Sequence, residues 1–144
     1  MEPIATIGYE KAPQAEVLDR LKSAGVELVI DVRAVAASRR AGFSKGMLSQ
    51  SLLAEGIGYL HLRDLGTPKP GREAARAGRV SEMRQIFAEH MATPEAHLAL
   101  ARAVEESRGR RVCLLCYEAD PACCHRAQVA EAMAGVTGAP ILNL

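Results

Sequence analysis

The sequence predicts an α/β protein, a three-layer sandwich with a mostly parallel sheet of about five strands and helices on both faces. Short apolar segments alternate with helical patterns along all 144 residues, and this order typically produces parallel strands. Apolar residues make up 49% of the chain and charged residues 24%, the balance of a globular protein with its own core. The length suits one domain, and we expect residues 1–144 to form a single α/β domain.

The first half of the chain alternates strands and helices. Residues 4–8 (IATIG) are a short apolar run that ends at a glycine, and residues 26–32 (VELVIDV) are a β-branched run typical of a buried parallel strand. Residues 13–24 place apolar side chains on one side of a helix, and Gly25 follows as a stop. The elements predicted next are a basic loop at 33–44, a helix at 45–55 and a strand at 57–62.

The second half begins with a long connection. Residues 63–79 are rich in Gly, Pro and basic side chains, a composition typical of a loop that carries function. A helix at 94–108 is predicted from Thr93 as its cap and Pro94 in its first turn. The other predicted elements are a helix at 80–91, a strand at 111–117, a helix at 124–134 before Gly135 and a strand at 139–142.

Charge is distributed unevenly, although the net charge is only +1. Residues 33–84 hold ten Lys or Arg against four Asp or Glu, which predicts that this part of the chain meets an anion. Three Tyr, two Phe and no Trp argue against a stacking surface for single-stranded nucleic acid. We therefore expect a small anionic ligand as the partner, with nucleic acid as the less favoured alternative. The sequence leaves the oligomeric state open.

Two further features predict the location of the protein. No apolar run approaches the ~20 residues that a membrane-spanning helix needs. Residues 1–10 lack the basic and apolar segments of a secretory signal. We expect no membrane partner and a cytoplasmic location.

All four cysteines lie between positions 113 and 124. A disulfide framework would distribute its cysteines along the chain, so this cluster indicates thiol chemistry, metal binding or core packing. Zinc is the weaker alternative, because Cys113 and Cys116 point to opposite faces of a strand and Cys123 and Cys124 are adjacent. We expect no metal and no cofactor, and we expect Cys113 to be a core residue.

Reactive side chains follow four of the predicted strands, at the edge where an open α/β sheet binds its ligands. The second and fourth of these strand ends carry candidate site residues. Asp31 and Arg33 follow the second strand, and Cys116 and Glu118 follow the fourth. Glu118 is a candidate general acid or base if it faces the same cleft. Asp31 and Arg33 could instead form a structural pair that closes a strand end.

The last predicted helix starts near Cys124, beside His125 and Arg126. A thiol at a helix N-terminus next to basic groups has a lowered pKa, because both the helix dipole and the positive charges stabilise the thiolate. Cys124 is therefore the better candidate for a nucleophile, and Cys116 competes for that role. Core packing is the alternative for both cysteines.

Several sequence blocks, in order, carry a family resemblance. They are TIG at 6–8, DVR at 31–33, SRR-x-GF-x-K at 38–45, GI-x-Y-x-HL at 56–62, LG-x-PK at 65–69, LLC-x-E-x-D at 114–120 and CHR at 124–126. In these blocks the chain resembles the domain of unknown function 488 family. The resemblance implies an α/β domain and marks a set of motif positions, namely Asp31, Arg33, Ser38, Arg39, Lys45, Tyr59, Cys116, Glu118, Cys124, His125 and Arg126.

We divide these positions between two expected roles. The expected catalytic residues are Cys116, Glu118, Cys124 and Asp31. The expected substrate-binding residues are Arg33, Ser38, Arg39, Lys45, Tyr59, His125 and Arg126.

Three functions fit this assignment. The first is an enzyme that acts on a small phosphorylated or nucleotide-like anion. The second is a module that binds or processes nucleic acid with the basic residues of 33–84. The third is a non-catalytic protein whose motif residues form a structural polar network.

Overall fold

The computed structural model describes residues 2–144, which form five strands and six helices. The strands are β1 (Ile4–Gly8), β2 (Leu28–Asp31), β3 (Gly58–His61), β4 (Val112–Cys116) and β5 (Ile141–Asn143). The helices are α1 (Gln14–Ser23), α2 (Lys45–Ala54), α3 (Lys69–Arg76), α4 (Val80–Met91), α5 (Pro94–Ser107) and α6 (Arg126–Thr137). Two short 3-10 turns are Arg63–Leu65 and Pro121–Cys123.

The five strands form one parallel sheet in the order β3-β2-β4-β1-β5. The central strand is β4, and its last residue, Cys116, pairs in register with Gly8 of β1. On the other side of β4, Asp31 of β2 pairs with Leu115. The carboxyl ends of β1, β2 and β4 therefore meet at one edge of the sheet, and the predicted fold class is confirmed.

Helices cover both faces of the sheet and bury two apolar layers. One layer contains α1 and α2, whose buried side chains include Leu21 and Leu52. The other contains α4, α5 and α6, whose buried side chains include Phe87, Ala103 and Met133. No helix within residues 2–144 has the length and apolar character needed to cross a bilayer.

The connections place a crevice at the end of β4. The chain leaves β1 and β2 toward helices on one face, whereas it leaves β4 toward α6 on the opposite face. Loops that depart to opposite faces leave a gap outside the carboxyl ends of adjacent strands, and open α/β sheets bind ligands in this gap.

The structure differs from the predicted elements in two regions near this crevice. Residues 63–79 were predicted as a loop but contain α3. Pro70 stands in the first turn, where proline is tolerated, and Gly71 packs closely, since a Cβ there would lie 2.2 Å from Thr67 Cγ2.

The start and end of the last helix also differ from the prediction. α6 begins at Arg126 rather than near Cys124, because Pro121–Cys123 form a separate turn and Cys124 is extended (φ −130°, ψ 142°). The helix runs through Gly135 and ends at Gly138, which has the left-handed φ of 76° that favours glycine. The remaining boundaries agree with the prediction or differ by at most two residues.

Candidate active site

A buried ion pair closes the end of β2. Asp31 is 0% exposed and Arg33 is 5% exposed, and Arg33 Nη2 lies 2.7 Å from Asp31 Oδ2 while Nε lies 2.9 Å from Oδ1. Arg33 Nη1 also donates to the Tyr9 hydroxyl and to the Phe43 carbonyl. The Tyr59 hydroxyl donates to Asp31 Oδ2 at 2.5 Å. The polar groups of this pair are therefore largely occupied by partners within the protein.

The ion pair keeps Arg33 charged and the neighbouring Tyr59 neutral. Burial acts to lower the pKa of Arg33, but the hydrogen bonds and the charge of Asp31 outweigh it and hold this pKa above its usual value. Burial and the hydrogen bond to Asp31 raise the pKa of Tyr59. Arg33 thus stays positive beside a negative Asp31, and Tyr59 stays neutral.

Two thiols and an imidazole meet at the end of β4. Cys116 Sγ and Cys124 Sγ each lie 3.8 Å from His125 Nδ1, and the three donor atoms lie within 4.8 Å of one another. His125 Nε2 lies 2.7 Å from the Val32 carbonyl oxygen. Because a carbonyl oxygen can only accept a hydrogen bond, Nε2 carries a hydrogen and donates it. This bond orients the ring so that Nδ1 faces both sulfurs, and it joins the start of α6 to the end of β2.

Cys116, Cys124 and His125 form one unit, in which the groups shift the pKa values of their neighbours. Burial acts to raise the pKa of Cys124, but the hydrogen bond from Cys116 and the charge of His125 outweigh it and lower this pKa well below its usual value. The same hydrogen bond, together with burial, raises the pKa of Cys116. Burial acts to lower the pKa of His125, but the Cys124 thiolate outweighs it and raises this pKa. These shifts all favour a proton on Cys116 and on His125 and disfavour one on Cys124.

The carboxyl group of Glu118 stands beside this unit. Its Oε2 lies 3.8 Å from Cys116 Sγ. Burial and the negative charge of Cys124 raise the pKa of Glu118 to about 7. A carboxyl group with this pKa both releases and accepts a proton near neutral pH.

The loop that carries Glu118 is held over the end of β1. A Cβ at Gly8 would lie 1.8 Å from the Glu118 carbonyl oxygen, so only glycine permits this approach. Arg126 fixes the loop from α6, because its guanidinium donates to the carbonyl oxygens of Glu118 and Ala119. Arg126 is only 1% exposed, and its guanidinium is thus directed at the backbone of this loop.

A cleft of about 710 Å³ opens outside these strand ends. Cys116, Glu118 and His125 line it, and so do four arginines, Arg33, Arg39, Arg72 and Arg76. Among residues 2–144, Arg33 is the only one of the four that pairs with a carboxylate. Three guanidinium groups are therefore left to give the cleft a positive potential.

Two of these arginines were missed by the sequence reasoning. Arg72 and Arg76 lie on α3, four residues apart, and residues four apart project from the same side of a helix. That spacing was the available signal. Pro70 and Gly71 obscured it, because they made the segment resemble a loop.

The other expected site residues differ in how they relate to the cleft. Ser38 and Arg39 line it, and the Ser38 hydroxyl accepts from the Arg40 backbone N–H. Lys45 is exposed at the start of α2 and is outside the cleft lining. Asp31, Tyr59, Cys124 and Arg126 also lie outside the lining. Asp31, Cys124 and Arg126 contact the lining residues Arg33, His125 and Glu118, and Tyr59 contacts Asp31.

The donors available for a metal ion within residues 2–144 are Cys116, Cys124 and His125. Cys113 and Cys123 lie outside this group, and Cys113 is fully buried in β4, as predicted for a core residue. Of the residues considered for zinc from the sequence, Cys116, Cys124 and His125 meet and Cys113 and Cys123 do not; a closed structural zinc site needs four protein ligands.

Comparisons with known proteins give one match. A search of curated proteins and a search of solved structures each returned no match to this chain. The model of the family described as domain of unknown function DUF488 matches residues 13–133. This match covers most of the chain, including Asp31, Arg33 and the segment from Cys116 to Arg126. The protein therefore belongs to the DUF488 family.

Proposed function

We propose that the protein is an enzyme that binds a small anionic molecule, of the phosphorylated or nucleotide-like kind, in this cleft. The observation that carries the proposal is a thiol on the floor of a cleft whose walls hold three arginines without a carboxylate partner. Cys116 is the nucleophile in this proposal, and Glu118 is the general acid or base. Perturbed titratable groups that converge in a concave site are typical of active sites.

The anion is bound by Arg39, Arg72 and Arg76. Arg39 and Arg76 are exposed, and Arg72 is half-buried with one N–H bonded to the Thr67 carbonyl at 2.9 Å. Guanidinium groups suit phosphate and carboxylate groups, because their planar N–H donors match pairs of oxygens. Arg33 also lines the cleft, but Asp31 neutralises its charge, so it is not one of the three arginines that bind the anion.

Cys116 is the thiol that a ligand reaches first. It lines the cleft, whereas Cys124 is 1% exposed and lies outside the lining. Glu118 accepts the proton of Cys116 as the thiol attacks, because its Oε2 lies 3.8 Å from Cys116 Sγ and a carboxyl group with a pKa of about 7 is partly ionised near neutral pH. The sequence favoured Cys124 as the nucleophile; burial of its sulfur is the reason to assign Cys116 instead.

A small molecule fits this site better than nucleic acid does. The free arginines converge on one concave cleft of about 710 Å³, a volume typical of small-molecule sites. Nucleic-acid surfaces instead present a basic face along a duplex or aromatic platforms for single strands. Tyr9 and Tyr117 line the cleft, but they pack against each other with ring centroids 5.4 Å apart.

Binding of pyrophosphate tests the proposal. We expect pyrophosphate to raise the free energy of unfolding, by about 2.7 kcal/mol when its concentration is 100 times Kd. Arg39→Gln and Arg76→Gln should each weaken binding, measured by calorimetry. Arg108→Gln removes an equal charge from an exposed site between α5 and β4, at the opposite end of the strands from the cleft, so this control should bind as the parent does at physiological salt.

Two results would contradict the proposal. One is the absence of any pyrophosphate binding at low salt. The other is equal weakening by all three substitutions, which would mean that the cleft has no particular role. Tight binding of a DNA duplex at physiological salt, with no binding of pyrophosphate, would favour the nucleic-acid alternative.

A further inference from the structure

The second thiol of the site has no role in the chemistry proposed above. Cys124 is as deeply buried as Cys113, yet the two residues have opposite surroundings. Burial raises the pKa of Cys113, as expected for a thiol in the core. Cys124 faces the Cys116 thiol and the His125 ring, and its pKa is lowered. Core packing does not require a buried thiol to face a second thiol and an imidazole nitrogen, as Cys124 does.

The geometry of Cys116 and Cys124 suits disulfide formation. Both are free thiols, and their sulfurs lie within 4.8 Å of one another. A disulfide bond is about 2.05 Å long, so the sulfurs must approach by less than about 3 Å. Both residues stand at the ends of short elements, Cys116 at the end of β4 and Cys124 just before α6.

The two sulfurs differ in access. A ligand in the cleft reaches Cys116, and Cys124 lies behind it. A molecule bonded to Cys116 through its sulfur would therefore have the Cys124 thiol as its neighbour inside the protein. Cys116 is thus placed to attack a substrate disulfide, and Cys124 is placed to resolve the mixed disulfide that results.

We propose that this site reduces a small disulfide that carries anionic groups, with Cys116 as the attacking thiol and Cys124 as the resolving thiol. The inference rests on the proposed function, because the same arginines bind the anionic groups. It adds the class of the substrate and the role of Cys124.

The chemistry takes place in two steps. Cys116 Sγ attacks one sulfur of the substrate R–S–S–R, a Cys116–S–S–R bond forms, and the first RS⁻ leaves. The proton of Cys116 passes through Glu118 to this leaving thiolate. Cys124 thiolate then attacks Cys116 Sγ, the bond to SR breaks, and the second RS⁻ takes a proton from the His125 imidazolium. The substrate gains two electrons and two protons, and the protein ends with a Cys116–Cys124 disulfide.

The test uses two disulfides of opposite charge on the full chain. The background is Cys123→Ser, which removes a partly exposed thiol that lies outside the site. The reduced protein is mixed with glutathione disulfide, which is anionic, or with cystamine, which is cationic. The readouts are the released thiol and the mass of the intact protein.

We expect glutathione disulfide to release two thiols per protein and to leave the protein with a Cys116–Cys124 disulfide and no adduct. Its rate should exceed that of cystamine by about tenfold or more, because the cleft attracts anions. Arg76→Gln should reduce this preference. With Cys124→Ser, one thiol should be released and the glutathione adduct should stay on Cys116; Cys124→Ala provides the same test if the serine variant does not fold.

A stable glutathione adduct on the protein that retains Cys124 would overturn the inference, and so would equal rates with the two probes. These failures are separable from failure of the proposed function. If pyrophosphate binds and Cys116 is reactive but no internal disulfide forms, only the role of Cys124 is wrong. If pyrophosphate does not bind and Cys116 is inert, the proposed function itself is wrong.

Discussion

Replacement of Asp31 by Asn tests the ion pair at the end of β2. The substitution keeps the shape of the side chain and removes its charge, which leaves the guanidinium of Arg33 buried without a counter-charge. Arg33 cannot escape this by losing its proton, because an arginine stays protonated in proteins. It is also held in place by the Tyr9 hydroxyl and the Phe43 carbonyl, so it has little freedom to turn toward water.

The expected cost follows from the burial of the pair. Asp31 is 0% exposed and Arg33 is 5% exposed, and removal of one partner from such a pair costs about 3–5 kcal/mol. For a chain of this size, that corresponds to a fall in Tm of roughly 10–15 °C. The exposed pair of Arg79 and Glu82 serves as the matched control, because its side chains are 56% and 52% exposed. Glu82→Gln should cost less than about 1 kcal/mol.

Urea unfolding followed by circular dichroism measures both costs. A second variant that combines Asp31→Asn with Arg33→Met should recover part of the loss, because it removes the charge left without a partner. If Asp31→Asn costs no more than Glu82→Gln, the reasoning is refuted: the pair would then be hydrated, and Asp31 would regain a possible role in the chemistry.

Three other predictions concern stability. Burial raises the pKa of Glu118 to about 7, so ionisation of this group costs the folded protein stability as pH rises from its unfolded value of 4.5 through about 7. Glu118→Gln removes this loss, so its stability relative to the parent should increase by on the order of 2 kcal/mol from about pH 5 to about pH 8 in urea titrations. Gly8→Ala should cost more than about 2 kcal/mol, because its Cβ would collide with a backbone carbonyl, whereas Gly46→Ala meets open space and should be neutral or slightly stabilising in the same assay. Thr93→Ala should lower the free energy of unfolding by about 1 kcal/mol, because it removes the oxygen that accepts from the Ala96 N–H at 3.3 Å; no loss would mean that this cap is dispensable.

The sequence predicts the order of elements well because apolar periodicity is a local signal. Residues 4–8 and 80–91 were predicted with the bounds of β1 and α4. Errors occurred where tertiary contacts decide the local structure. In α3, Gly71 is required by a close neighbour and does not break the helix.

The sequence also predicts the edge of the sheet that holds the candidate site, because parallel strands end together. Asp31 and Cys116 follow strands that prove to be adjacent. The direction of each side chain is not a local property. The Val32 carbonyl orients His125 from a distant part of the chain, and the loop before α6 brings Cys124 close to Cys116, so the sequence did not predict that the two thiols meet. Burial of Cys124 was only one of the two alternatives that the sequence left open.

Differential alkylation of the native protein tests the central claim, that Cys116 is a reactive thiol on the floor of an anion-binding cleft. In the Cys123→Ser background, native protein at neutral pH is treated with iodoacetamide, with and without pyrophosphate, and the labelled peptides are quantified by mass spectrometry. We expect Cys116 to be labelled first and pyrophosphate to slow this labelling. An unlabelled Cys116 in the native protein, or a labelling rate that pyrophosphate does not change, would contradict the account.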